Sequence, residues 1–125
     1  MTPEEGAPDS LEQLLRSVRE SNSDLNGVAL VTGEGFSIAS DLEPDLDEES
    51  MAALTADLLG HAARSMGEFG RGDCTELYAR GENGFIMAFR AGDDAVLVCL
   101  AAPHASLGLL MLDMRRAAAR AAELL

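Results

Sequence analysis

Three short apolar runs dominate the second half of the chain, at residues 74–80, 84–90 and 95–101, parted by Gly81-Glu82-Asn83-Gly84 and Gly92-Asp93-Asp94. Glycine- and Asn/Asp-rich clusters of this length supply the positive-φ positions of tight turns. The runs are therefore predicted to be neighbouring antiparallel strands. Their patterns differ. The last (Val96, Leu97, Val98, Cys99, Leu100) is apolar on both faces, and the middle one sets Phe85, Met87 and Phe89 against Ile86 and Ala88. Both are expected to be covered on both sides. The first alternates Thr75, Leu77 and Ala79 with Glu76, Tyr78 and Arg80, which predicts an edge strand with one side wet or open to a partner.

Such a sheet needs helices on two faces, and three stretches supply them. Ser10-Leu11-Glu12-Gln13 is a capping box ahead of a single apolar stripe, Leu11, Leu14, Leu15 and Val18, which predicts a helix from Leu11 to about Ser21. Residues 27–32 and 36–40, hinged at Gly33-Glu34-Gly35, predict a hairpin. After an acidic connector at 41–47 containing Pro44, Asp47 can cap a second helix running to about Gly67, with Glu48 and Glu49 in the first turn where negative charge suits the dipole.

This middle helix carries two apolar stripes. Met51, Leu54, Leu58, Ala62 and Met66 are spaced to meet the sheet. Ala52, Ala56, Leu59 and Ala63, with Gly60 beside them, are small enough to let another helix approach closely, and a second copy of the chain is the simplest source of that helix. Gly60 costs about 1 kcal/mol relative to alanine inside a helix. Ser106 can cap a last helix to about Leu125, with Leu107, Leu110, Met111, Met114, Ala117, Ala118 and Ala121 on its apolar side. The predicted class is α+β, in the order α-β-β-α-β-β-β-α. The five strands form one antiparallel sheet, with the first and last helices on one face and the middle helix on the other.

Composition narrows the function. A chain of 125 residues, 47% hydrophobic, suits one domain with its own core, expected at 10–125 behind a disordered tail at 1–9. The net charge of −13, with nine basic residues that are all arginine, works against phosphate backbones and anionic lipid. No apolar run approaches the roughly 18–20 residues of a membrane span, and residues 1–9 lack the basic and apolar regions of a secretory signal. A cytoplasmic protein that binds no nucleic acid is expected. Cys74 and Cys99 are expected to be buried reduced thiols on strands that are not neighbours.

Little in the sequence points to catalysis. The absence of lysine removes a Walker-type phosphate loop and Schiff-base chemistry. Gly33-Glu34-Gly35 sits in a hairpin and is too short for a dinucleotide fingerprint, and no Gly-x-Ser-x-Gly elbow occurs. His61, with Asp57 one turn before it, suits a hydrogen bond on a helix surface, and His104 beside Pro103 suits a loop role. No Cys/His set has metal spacing. The acidic connector lacks the interior glycine of a calcium loop and contains Pro44, so it reads as a solvated loop and helix cap. No cofactor is expected, and the chain is expected not to be an enzyme.

Three stretches carry a family resemblance: Gly-Val-Ala-Leu-Val-Thr-Gly-Glu-Gly-Phe-Ser-Ile-Ala at 27–39, Gly-Phe-Ile-Met-Ala-Phe at 84–89, and Ala-Pro-His-Ala-Ser-Leu-Gly at 102–108. With the order of elements, they make residues 10–125 resemble the Roadblock family, the dynein light-chain Roadblock group with its bacterial MglB-type and conservon-type relatives. The resemblance implies a profilin-like sheet and a small non-enzymatic homodimer, in which middle helices pack together and edge strands pair. It also implies a small Ras-like GTPase as partner, for which the dimer acts as activator or scaffold by repositioning the GTPase's own residues. Together with the small-residue stripe and the alternating strand, it points to a dimer interface of Ala52, Ala56, Leu59, Gly60, Ala63, Thr75, Leu77 and Ala79. A small-molecule sensory domain of similar architecture is the alternative.

Overall fold

In the computed structural model, which describes residues 10–125, the elements are α1 (Leu11–Ser21), β1 (Leu25–Thr32), β2 (Ser37–Leu42), α2 (Glu48–Glu68), β3 (Glu76–Gly81), β4 (Gly84–Ala91), β5 (Ala95–Ala101) and α3 (Leu107–Leu124). Their order is the predicted one, and the tail expected at 1–9 lies outside the described residues. The five strands form one antiparallel sheet in the order β2-β1-β5-β4-β3. The central pair, β1 with β5, joins segments far apart in sequence.

Local chemistry sets most element ends. Ser10 Oγ accepts from the Gln13 amide at 3.2 Å, and Asp47 Oδ2 accepts from the Ser50 amide at 3.0 Å, so both expected caps form. Ser106 occupies the N-cap of α3, but its side chain makes no capping hydrogen bond. β1 starts two residues earlier than expected, because Leu25 is buried and pairs with Ala101 across a bulge. β2 starts at Ser37 because the Phe36 carbonyl closes the turn, accepting from the Thr32 amide at 2.8 Å. β3 starts at Glu76 rather than Cys74. The Arg90 amide still donates to the Thr75 carbonyl at 3.1 Å, and Arg90 Nε donates to the Cys74 carbonyl at 2.7 Å, so backbone and side chain together anchor the lead-in to the strand.

The two faces of the sheet are covered unequally. α1 and α3 lie side by side on one face, over a core in which Leu15, Leu30, Met87, Leu97 and Met114 are fully buried. Among the described residues α2 lies alone on the other, its backbone nearest β1 and β2, above Ala29, Val31, Ala88, Val96 and Val98. Cys74 and Cys99 belong to cores on opposite faces, are both buried, and remain free thiols.

α2 is rotated relative to expectation. Ala52 (1% exposed), Thr55 and Leu59 (7%) face the sheet, whereas Leu54, expected to meet the sheet, is 66% exposed. The two stripes adjoin on a helix that turns about 100° per residue, so spacing revealed both without ranking them. The small Ala52 lets the helix settle close to a sheet floor of alanine and valine. Ile86, expected to be covered, is 36% exposed for the same reason: α2 sits too far toward β1 and β2 to reach it.

The β3–β4 turn depends on a residue without a side chain. Gly84 has φ +150°, and a Cβ there would stand 2.3 Å from the Ala101 carbonyl oxygen. Backbone cannot yield as a flexible side chain does. Gly84→Ala is expected to cost about 3 kcal/mol, measured by chemical denaturation. A variant within 0.5 kcal/mol of the parent, or roughly so, would contradict this packing.

Candidate functional site

The unequal coverage creates an apolar surface feature. Beside α2 lies a groove of about 300 Å³ whose walls include Leu46, Met51, Leu54 and Leu58 and whose floor is Ile86, Val98 and Leu100. Its polar rim is already committed. Asp47 accepts from Ser50 as the helix cap, and Thr55 Oγ1 donates to the Met51 carbonyl at 2.6 Å. Those cap bonds, with the Ser50 hydroxyl first, hold the Asp47 carboxyl below its ordinary pKa. A small-molecule pocket pairs an apolar lining with polar groups free to orient a ligand. Here the groups are occupied, which favours an apolar contact with another protein surface over the sensory alternative.

The groove opens toward the edge strand β3. Pairing of Ala79 with Ile86 and of Leu77 with Ala88 places Leu77 and Ala79 on the α2 face, so the apolar floor continues to the margin of the sheet. On the opposite face, Glu76, Tyr78 and Arg80 line up beneath α3. Arg115 of α3 grips Glu76 bidentately, Nε to Oε2 at 2.7 Å and NH2 to Oε1 at 2.8 Å. The Tyr78 hydroxyl donates to Glu76 Oε1, and its ring meets Phe89 edge-on at 6.0 Å between centroids. Arg115 is the main reason the Glu76 carboxyl falls from 4.5 to about 2, while burial, then the bond to Glu76, raises the Tyr78 phenol. Arg80 lies over the Phe85 ring at 5.2 Å.

The structure divides the expected interface residues. Ala52 and Leu59 are spent in the subunit's own core, and Ala63 packs partly against it. Ala56 lies against the β1–β2 turn, where a Cβ on Gly35 would meet it at 3.6 Å. Gly60 lies on a helix flank where an added Cβ would meet only the tip of Arg64. Thr75 is exposed just ahead of β3, and Leu77 and Ala79 lie on the edge strand, half-buried. Leu54, Leu58, Ile86 and Leu100 were missed as surface residues. Spacing alone does not separate Leu54 and Leu58, which line the groove, from Leu59, which is buried against the sheet.

The remaining candidates have local roles. His61 Nδ1 meets Arg64 at 2.6 Å rather than Asp57, and His104 Nε2 pairs with Asp24 at 2.9 Å. In the acidic connector, Asp41 pairs with Arg19 at 3.2 Å and Glu43 accepts from Asn26 at 3.0 Å. Among the described residues no three His, Cys, Asp or Glu side chains converge as a metal site, and no helix is long and apolar enough to cross a membrane.

With this geometry in view, the comparisons with known proteins are decisive about family. The Roadblock/LC7 domain matches residues 11–101. The chain belongs to the Roadblock/LC7 family. It is 33% identical over 94 residues to MJ0310 of Methanocaldococcus jannaschii, covering 75% of this chain and 82% of that protein. Among solved structures, Myxococcus xanthus MglB superposes with a TM-score of 0.84 at 21% identity, covering 91% of this chain and 93% of that one. Profilin II of Acanthamoeba castellanii superposes with a TM-score of 0.68 at 12% identity, covering 91% and 98%. The Roadblock domain is thus an α+β fold with profilin-like neighbours, as expected.

The Glu76–Arg115 pair makes a measurable prediction. A carboxyl whose pKa is lowered on folding contributes stability in full above its unfolded value and loses it as pH falls toward the folded value. Here that window runs from 4.5 down to about 2. Arg115→Ala is expected to return the Glu76 pKa toward its ordinary value, read by NMR titration of the side-chain carboxyl, and to flatten the loss of stability in that window. An unmoved pKa would show that Arg115 is not its cause.

Proposed function

We propose that this Roadblock domain is a cytoplasmic, homodimeric and non-enzymatic regulator or scaffold of a small Ras-like GTPase, acting as an activator or an adaptor. The observation that carries the self-association is the continuous apolar surface from Leu54 and Leu58, across Ile86 and Leu100, to Leu77 and Ala79 at the open edge of the sheet. A lone subunit leaves this surface in water beside an unpaired strand. A second copy related by a two-fold axis supplies both a helix and a strand, covering the groove and extending the ladder at once. The revised interface therefore runs through Leu54, Leu58, Ile86 and Leu100 together with Leu77 and Ala79, and leaves Ala52 and Leu59 in the core.

The GTPase half of the proposal is supported by family membership and by the fold likeness to MglB, since a Ras-like GTPase partner is what the resemblance to MglB-type relatives implies. The committed polar rim of the groove and the net charge of −13 fit a protein partner better than nucleic acid. Regulation would come from docking, with the chemistry left to the GTPase.

Leu58→Arg tests the self-association. The side chain is only half-buried in the subunit, so the fold is expected to survive by circular dichroism. Light scattering is expected to move from two copies to one, with dimer association weakened about tenfold or more, since fully burying one leucine is worth roughly 1.5–3 kcal/mol. A retained dimer mass would reject this interface. For the second half, GTP hydrolysis by a Ras-like GTPase from the same host is expected to change rate, or its complex to form, when the dimer is added. A GTPase that neither binds nor responds would reject the role.

A further inference from the structure

The edge strand carries more information than its openness. The amide of Arg90 donates to the Thr75 carbonyl at 3.1 Å. In an antiparallel ladder, hydrogen-bonded and non-hydrogen-bonded pairs alternate. With Thr75 bonded inward to β4, Leu77 and Ala79 also turn their backbone groups inward, opposite Ala88 and Ile86. Glu76, Tyr78 and Arg80 therefore present their amides and carbonyls outward, at the free margin. Their side chains lie on the α3 face, where Glu76 meets Arg115 and Tyr78 meets Phe89.

A second copy adding to this margin in antiparallel sense must pair outward groups with outward groups. A slip of one residue would put the wrong backbone groups, and the wrong faces, together. Three registers near the middle of the strand satisfy this condition. Centred on Leu77, the pairing sets Glu76 against Tyr78 and Arg80 against Cys74. Centred on Ala79, it sets Glu76 against Glu82, a like-charge contact on each side of the axis. Centred on Tyr78, it sets Glu76 of each copy opposite Arg80 of the other. That register has two opposite-charge rungs flanking a pair of tyrosines, and Leu77 faces Ala79 on the α2 side.

We infer that β3 pairs with its own copy in the register centred on Tyr78, and that the Glu76–Arg80 rungs select a second copy of this chain over other edge strands. This rests on the homodimer proposed above and adds its register and its selectivity. Glu76 can accept the second arginine because a carboxylate offers about four lone-pair sites, and Arg115 and Tyr78 take two on Oε1 and one on Oε2, leaving Oε2 a site to offer. Arg80 is available because, among the described residues, it has no carboxylate partner and only the Phe85 ring beneath it. The other edge, β2, offers no such complement: its one charged side chain, Asp41, is already tied to Arg19. A two-fold axis through Tyr78 and normal to the sheet also keeps both α2 helices on one side, so the two grooves face a common seam.

Two experiments test it. The first introduces single cysteines at positions 77, 78 and 79, with the buried Cys74 and Cys99 as the silent background, and oxidises with copper phenanthroline. In the inferred register the two copies of residue 78 stand about 5.5 Å apart at Cα, within disulfide reach. The two copies of residue 77, or of residue 79, are offset by two residues along the strand and stand about 8 Å apart, beyond it. Tyr78→Cys alone is expected to cross-link with itself, and Leu77→Cys is expected to cross-link only with Ala79→Cys in a mixture.

The second experiment inverts the charges. Glu76→Arg and Arg80→Glu are each expected to weaken self-association about tenfold, because each turns two attractive rungs into repulsive ones. Mixed together, the two variants are expected to form a heterodimer preferentially, seen by native mass spectrometry. Self-cross-linking at 77 or 79 in place of 78, or no preference for the mixed dimer, would overturn the register while leaving the homodimer standing. A single-copy mass for the unsubstituted chain would remove the homodimer, and the register with it.

Discussion

One helix cannot cover one face of a five-stranded sheet. Five strands span about 19 Å across the ladder at roughly 4.8 Å per spacing, and a helix with its side chains is about 10 Å wide. On one face the chain meets this requirement with two helices side by side. On the other, among the described residues, it has only α2, whose backbone lies nearest β1 and β2; Ala88, Val96 and Val98 are still buried there, but Ile86, Leu100 and the edge strand are left short of cover. The groove, the exposure of Ile86 and Leu54, and the open margin at β3 all follow from that shortfall.

The deficit is also directional. Because α2 is displaced toward one edge, the bare part of the face lies toward the other, where the sheet also has unpaired backbone groups. Apolar surface and an unfinished ladder meet in one place, so a single partner can resolve both. The rest of that edge is held still. Arg115 reaches down from α3 to clamp Glu76, and Tyr78 is fixed between Glu76 and Phe89, so the strand presents a preorganised row of groups rather than a frayed end.

The fold was largely legible because its signals are local. Caps at Ser10 and Asp47, the turn clusters around Asn83 and Asp93, and the switch from helical to alternating periodicity each mark a boundary through the residues beside it. What escaped depends on distance. Whether Ala52 or Leu54 faces inward is decided by the floor that other strands build beneath α2. The clamp between Glu76 and Arg115 joins residues 39 positions apart, and no spacing rule reaches that far. The candidate site was accordingly half visible. The edge strand shows in the alternation from Thr75 to Arg80, while the groove wall at Leu54 and Leu58 belongs to the stripe expected to meet the sheet, of which Met51, Ala62 and Met66 do pack there.

Cys99 sits in the central strand, wholly enclosed and paired on both sides by β1 and β4, and burial pushes its thiol up to about 12. Its side chain lies in the core beneath α1 and α3, so a reagent reaches it only when those helices lift or the sheet itself parts. The rate at which an alkylating reagent labels this sulfur therefore reports opening of the two-helix face or of the whole domain. The molecule carries in its middle a native thiol that times the opening of its larger core.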